Sequence, residues 1–260
     1  MVLIKKCHIF TELLNIKMSL YQHIGKGLGK KIALLIDPDK FRNADIAALA
    51  EKAGTDFLFI GGSLISDGNF HVCIEALKKA SRLPLVIFPG NTDQVDEGAD
   101  AILFLSLISG RNAENLIGKH VAAAPALKKT GLEIIPTGYM LVDGGKITSA
   151  IYMSNTLPIP ADKPDIAAST AIAGEMLGLK MIYMDTGSGA PNHVSCEMIS
   201  EVKKNISIPL VVGGGIRTPE AAVKVCDAGA DMIVLGTIAE KSPEMFVQIS
   251  NAIKTKYAKN

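Results

Sequence analysis

What the chain has little of narrows it before any motif does. Four cysteines in 260 residues (Cys7, Cys73, Cys196 and Cys226) lie far apart and make no CxxC pair. Neither a disulfide framework nor a thiolate metal site is expected, and the four read as reduced thiols of a cytoplasmic protein. No apolar run comes near the ~20 residues that cross a bilayer; the longest are of the kind "AILFL". Lys5 and Lys6 are followed by "FTELLNIKMS" rather than a clean apolar segment, which argues against a signal peptide. Charge of one sign is not in excess: 27 Lys plus Arg against 26 Asp plus Glu leave a net charge of +1. A nucleic-acid partner, which calls for a basic stripe, is not expected.

Missing chemistry is equally informative. The first apolar run ends in "IDPDK", without the GxGxxG fingerprint of dinucleotide binders. No strand-like run ends in lysine, which disfavours a Schiff-base aldolase. Lys31 and Lys180 stand at the opening ends of their runs, and Lys146, in a loop, is the one exception to test. The five histidines show no ligand spacing, and His193 is expected to begin a helix.

What is present is alternation. Apolar runs occur at 31–36, 56–60, 83–88, 101–105, 132–136, 180–184, 208–212 and 231–235. They are continuous rather than alternating, as parallel strands covered on both faces should be. Helical patterns lie between them, among them "NADIAALAEKAG", "FHVCIEALKKAS" and "AENLIGKHVAAAPALKKTG", the last expected to break at Pro125. Two later ones open Thr-Pro-Glu and Ser-Pro-Glu, a helix-start signature. Eight strands alternating with helices predict a single-domain (β/α)8 barrel over 1–260, with an N-terminal helical extension over 1–30 closing its bottom. An open doubly wound sheet is the alternative.

In such a barrel the chemistry collects at the C-terminal ends of the strands. Strands seven and eight end in "GGGIRTPE" and "LGT", each leading to a helix, and strand six ends in "DTGSGA". Glycine loops at helix starts expose N–H groups that bind phosphate. Glycines that only turn the chain are the alternative for any one loop; three adjacent loops favour phosphate. Asp37 leaves strand one beside the hydroxyl of Ser63, a pair suited to Mg²⁺, which takes few protein ligands. The alternative is that Asp37 caps the next turn, a role expected rather of Asp39. Asp185 faces the glycine loops as a candidate general base, or as a structural hydrogen-bond acceptor. The apolar strand ends "FLSLIS" and "GYML" suggest a groove for more than a sugar phosphate.

Taken in order, "LLIDPDK", "FIGGS", "FPGN", "SLISGRN", "PTGYMLVDGGK", "YMDTGSGA", "VVGGGIRTPE" and "LGT" resemble the geranylgeranylglyceryl phosphate synthases, in the second group shared by archaea and some bacteria. The resemblance covers about residues 30 to 250. It implies transfer of an all-trans prenyl group, with geranylgeranyl the expected one, from its diphosphate to the 3-hydroxyl of sn-glycerol 1-phosphate, using Mg²⁺. Carried over, Asp37 and Ser63 would hold Mg²⁺. Tyr183, Asp185, Gly187, Ser188 and Gly189 would line the glycerol phosphate site, with Asp185 taking the hydroxyl proton. Gly214, Gly215, Gly236 and Thr237 would cradle the phosphate, and Tyr139, in the strand-five loop, would shape the prenyl side. A homo-oligomer, dimer or hexamer, and transient membrane contact for release of a lipid product are also implied. Two departures stand out. The family motif reads like "YLEAGSGA", so Asp185 is one methylene shorter than the usual Glu. The shorter bacterial branch carries a Lys where this chain has Leu35, so a phosphate contact must come from elsewhere. The residues also allow a sugar-phosphate isomerase or lyase, or a non-catalytic barrel that binds phosphate or flavin mononucleotide.

Overall fold

Strand periodicity decides which residues reach the barrel interior. A computed structural model describes residues 19–25, 29–67 and 69–258. Its strands are β1 Lys31–Ile36, β2 Phe57–Ile60, β3 Leu85–Ile87, β4 Ala101–Leu107, β5 Glu133–Leu141, β6 Met181–Asp185, β7 Leu210–Gly213 and β8 Met232–Leu235. They pair in parallel in chain order and close β8 onto β1, the (β/α)8 barrel. Side chains alternate between faces. Ala33, Phe57, Phe59, Val86, Leu103, Ile135, Met181, Tyr183, Val211 and Val234 fill the interior. Ile32, Leu34, Leu58, Ile60, Ile182 and Ile233 face the helices. Continuing the inner parity upward places Leu35 and Asp37, Thr137 and Tyr139, Tyr183 and Asp185, and Gly213 at the interior face of the top.

Acids at the opposite end hold the strands in register. Asp56 accepts from Ile32 N–H at 2.8 Å and pairs with Lys254 at 2.6 Å. Asp100 accepts from Leu85 N–H, and Asp231 from Leu210 N–H, both at 2.8 Å. Below them a helix over Leu20–Ile24 inserts Ile24 into the interior cluster. Burying one such side chain contributes about 1.5–3 kcal/mol. The Glu133 carboxylate receives the helix's first two N–H groups, from Leu20 at 2.7 Å and Tyr21 at 2.9 Å, satisfying donors that a helix leaves unpaired. Residues 1–18 and 26–28 of the expected extension lie outside the described residues.

Three differences from the sequence expectation bear on the site. First, β5 continues through Thr137, Gly138 and Tyr139 to Leu141, so Tyr139 is a strand residue rather than a loop residue. Second, residues 88–100 form no helix, and the outer wall lacks one between β3 and β4. Pro89, Gly90 and Asn91 turn the chain there, and buried Gln94 fastens it: its Oε1 accepts from Gly90 N–H and its Nε2 donates to Gly62 C=O, both at 3.0 Å. Third, the helix over Lys119–Leu127 runs through Pro125. A helical proline frees the carbonyl four residues back, and that residue, Val121, is exposed, so water can satisfy it. His193 precedes the helix over Cys196–Asn205, whose cap is Ser195.

Candidate active site

Two cavities open at the C-terminal end of the barrel, of about 540 and 340 Å³, and they share a wall. Asp185, Ser188, Leu35, Gly236 and Thr237 line both. The smaller adds Tyr183, Gly189, Gly214 and Gly215, together with Arg217 and Lys241. The larger adds Asp37, Ser63 and Tyr139, then runs along Leu103, Phe104 and Leu105 to His120, Ala123 and Leu127. It passes the wall where the helix over 88–100 is missing.

The smaller cavity is built from main chain. Gly214 and Gly215 have φ of +79° and +68°, a region closed to most L-residues. A Cβ on Gly215 would lie 2.3 Å from Asn192 C=O, and one on Gly214 would lie 2.3 Å from Thr186 Oγ1. These glycines therefore do more than turn the chain: they let the β7 loop pack directly on the β6 loop. Arg217 reinforces the junction by donating to Ala190 C=O at 2.6 Å. Ser188 and Thr237 hydroxyls lie 3.0 Å apart and join the β6 loop to the start of the helix over Thr237–Lys241. The result is a glycine-lined concavity edged by two cationic side chains, suited to a phosphate monoester.

Asp185 ends β6, with its carboxylate buried. Oδ1 accepts from Gly187 N–H and Oδ2 from the Tyr139 hydroxyl, both at 2.7 Å. Burial raises its pKa, opposed by the hydrogen bonds from Tyr139 and Gly187. Tyr139 and Tyr183 are held well above the usual phenol range, first by burial and then by the Asp185 charge. Both phenols therefore stay neutral, and Tyr139 acts as a donor. The two hydrogen bonds use two of about four acceptor positions on the carboxylate, which leaves capacity for a substrate hydroxyl. Tyr139 still borders the larger cavity, but its polar end holds Asp185. Its ring packs edge-on against Phe88 and Tyr183, at 5.6 and 5.5 Å, and Phe88 stacks on Tyr183 at 5.1 Å.

At the mouth of the larger cavity Asp37 does cap the turn Pro38–Lys40, its Oδ1 accepting from Asp39 N–H at 3.1 Å. Asp39, expected in that role, instead binds the β2 loop through Ser66 N–H and Oγ and Asp67 N–H. The second oxygen of Asp37 receives the Lys40 ammonium at 2.6 Å. Asp37 lies beside Gly62 across the β1–β2 top, and Ser63, the next residue, lines the same cavity. Lys40, Phe88, Gln94, Arg217 and Lys241 are site residues that motif reading passes over. Lys40, Phe88 and Arg217 stand inside quoted motifs, whereas Gln94 and Lys241 are placed only by the barrel.

Residues 28–255 match the model of the PcrB family. The chain belongs to the PcrB family. It is 52% identical over 231 residues to the geranylgeranylglyceryl phosphate synthase of Chitinophaga pinensis, covering 88% of this chain and 91% of that one. To the protein of the same name from Methanothermobacter marburgensis it is 41% identical over 241 residues, covering 92% and 98%. The crystal structure of (S)-3-O-geranylgeranylglyceryl phosphate synthase from Thermoplasma acidophilum, in complex with substrate sn-glycerol-1-phosphate, superposes with a TM-score of 0.83 at 40% identity, covering 87% and 94%. In this PcrB-family chain the described residues contain no group of three or more His, Cys, Asp or Glu that could hold a metal ion. The expected donors, Asp37 and Ser63, are hard oxygens, one carboxylate and one hydroxyl. They fit Mg²⁺, which completes its shell with water and substrate phosphate, and do not fit a self-contained protein cage.

Proposed function

We propose that this chain is a prenyltransferase that joins the 3-hydroxyl of sn-glycerol 1-phosphate to an all-trans prenyl diphosphate through an ether bond, releasing diphosphate, with geranylgeranyl the expected donor. The observation that carries the reading is the shared wall: a phosphate-type concavity and a long apolar cavity meet at one buried carboxylate, Asp185. An isomerase or lyase acting on a sugar phosphate has no use for the apolar arm.

The phosphate of glycerol phosphate sits on the β6, β7 and β8 loops, among Gly187, Ser188, Gly189, Gly214, Gly215, Gly236 and Thr237, with Arg217 and Lys241 at the rim. Tyr183 floors that site. The glycerol hydroxyl then reaches Asp185, which orients it and takes its proton as the ether bond forms. Asp37 and Ser63 would hold Mg²⁺, which when bound neutralises the diphosphate and helps it depart. Phe88, Leu103, Phe104 and Leu105 keep water from the carbon that becomes cation-like as the diphosphate leaves. Tyr139 fixes the Asp185 rotamer through its hydrogen bond. No helix among the described residues is long and apolar enough to cross a membrane; the reading places the enzyme in the cytoplasm as a homo-oligomer, touching a membrane transiently to release its lipid product.

Product formation tests this directly, from sn-glycerol 1-phosphate with C15, C20 and C35 prenyl diphosphates, with and without Mg²⁺. The expected result is a Mg²⁺-dependent ether product that is formed fastest with C20. Folded protein that binds glycerol phosphate yet forms no product with any donor would overturn the prenyltransferase reading.

A further inference from the structure

The diphosphate mouth is short of positive charge. Besides Asp37 the larger cavity is lined by Asp93, Asp185 and Glu240, and among the described residues its only amines are Lys40 and Lys119. Lys119 stands on the helix over 119–127 along the apolar arm. Lys40 alone touches Asp37: its ammonium lies 2.6 Å from Asp37 Oδ2 and 4.0 Å from Glu240 Oε2. The Lys40 side chain is 53% exposed and Asp37 only 24%, so the lysine is the partner with room to swing into solvent. Asp37 is fixed by its own turn, because its other oxygen caps Asp39 N–H. Its second oxygen therefore has two claimants, the Lys40 ammonium and any cation that the site takes up.

We propose that Lys40 is an exchanging counter-ion: it neutralises Asp37 in the empty site and passes to the diphosphate oxygens of the prenyl donor once Asp37 takes a divalent cation. The inference rests on the prenyltransferase reading above. Glu240 is the second anchor that keeps the ammonium on the β1–β8 side as it moves. Lysine suits the task, with three donors on a compact charge at the end of a flexible stem. With a divalent ion present, Asp37, Glu240, Lys40 and the ion carry one net positive charge to meet the diphosphate. Without Lys40 they carry none. Leu35, on the inner face just before Asp37, supplies no charge, so the lysine three residues after the aspartate is the amine available to the leaving group.

The test measures two affinities that the exchange moves in opposite directions. Lys40→Met, Lys40→Arg and the unaltered chain are titrated with Mn²⁺ alone, by water-proton relaxation, and with inorganic pyrophosphate in excess Mg²⁺, by calorimetry. In Lys40→Met we expect Mn²⁺ to bind several-fold tighter, since Asp37 has lost its competitor. Pyrophosphate should bind about tenfold or more weakly, having lost one charge-assisted hydrogen bond. Lys40→Arg should restore most of the pyrophosphate affinity. A general loss of structure would weaken both ligands together and cannot imitate the opposed shifts. The proposal is overturned if Mn²⁺ binding in Lys40→Met is unchanged or weaker, or if pyrophosphate binding is unchanged. If the unaltered chain binds neither Mn²⁺ nor pyrophosphate, the metal-and-diphosphate reading of the mouth fails and the inference falls with it. If the unaltered chain binds both and Lys40→Met moves neither, the inference alone fails.

Discussion

The two sides of the barrel mouth are made of different material. From β6 to β8 the surface is main chain: glycine loops lie so close together that a Cβ on Gly215 would meet Asn192 backbone at 2.3 Å. From β1 to β4 the surface is side chains, Asp37, Ser63 and Lys40 at the mouth and Phe88, Leu103 and Phe104 beyond, around space left where residues 88–100 form no helix. A phosphate has one shape and many acceptors, and fixed N–H groups hold it well. An apolar chain offers no acceptors and many conformers, and a roomy wall of hydrocarbon suits it. Asp185 belongs to both sides, so substitutions at the seam should cost the reaction that joins them, and substitutions within a side should cost only that side's ligand.

The seam comes first because its effect is the largest. Asp185→Asn keeps the shape and an acceptor for Gly187 N–H, with the bond to the Tyr139 hydroxyl reversed in direction, but removes the base. Turnover should fall about 10²–10⁴-fold, the range of a lost general base, while glycerol phosphate binding by calorimetry changes only a few-fold. A variant that keeps full rate would end the base assignment. Next in size is Gly215→Ala. Its strained backbone and the contact with Asn192 cost about 1–3 kcal/mol, so glycerol phosphate should bind roughly 10–100-fold more weakly. Pyrophosphate binding at the Asp37 mouth should hold. If both affinities fall together, the two sides are one mechanical unit and the comparison breaks. On the other side Gln94→Leu leaves Gly62 C=O and Gly90 N–H without their partner. Stability should drop by about 1–3 kcal/mol in a denaturant titration. The KM for prenyl diphosphate should rise several-fold, with glycerol phosphate affinity unmoved.

The same division explains what the sequence disclosed. A site made of main chain has to be written in glycine, so "DTGSGA" and "VVGGGIRTPE" point to the phosphate side directly, and continuous apolar runs announce the eight strands. Acids at the ends of strands were separable in principle by position: Asp56, Asp100 and Asp231 precede β2, β4 and β8 and hold register, whereas Asp37 and Asp185 follow inner-face positions at the top. The apolar side left fainter marks. A missing helix has no motif of its own, and Gln94 or Phe88 acquires meaning only once 88–100 is seen to be a fastened loop. Asp37 and Asp39 stand two residues apart in one turn, and which of them caps it depends on Ser66 and Asp67, 27 and 28 residues away from Asp39. Tyr139 reads as a loop residue for a related reason: Thr137 and Gly138 look like a turn, yet pairing with Met181 and Ile182 carries the strand onward to Leu141.

That placement of Tyr139 supports the finest test of the seam. Its hydroxyl donates to Asp185 Oδ2 at 2.7 Å and favours the charged carboxylate, working against burial, which favours the neutral acid. As a base Asp185 must be ionised, so turnover should fall on the acid side at a pH above the ordinary aspartate range. Tyr139→Phe removes the phenol donor and leaves the ring contacts with Phe88 and Tyr183. Burial then acts with less opposition, and the Asp185 pKa rises further. The acid limb of kcat should therefore move to higher pH. Above the limb the rate should fall only a few-fold, since the base is present and only its orientation has loosened. Below it the deficit should widen as pH drops. A merely structural role for Tyr139 would lower the rate by one factor at every pH and leave the limb in place. Because the hydroxyl reaches Asp185 from the prenyl side, a moved limb would also show that the wall built for the apolar chain tunes the proton acceptor used by the phosphate side.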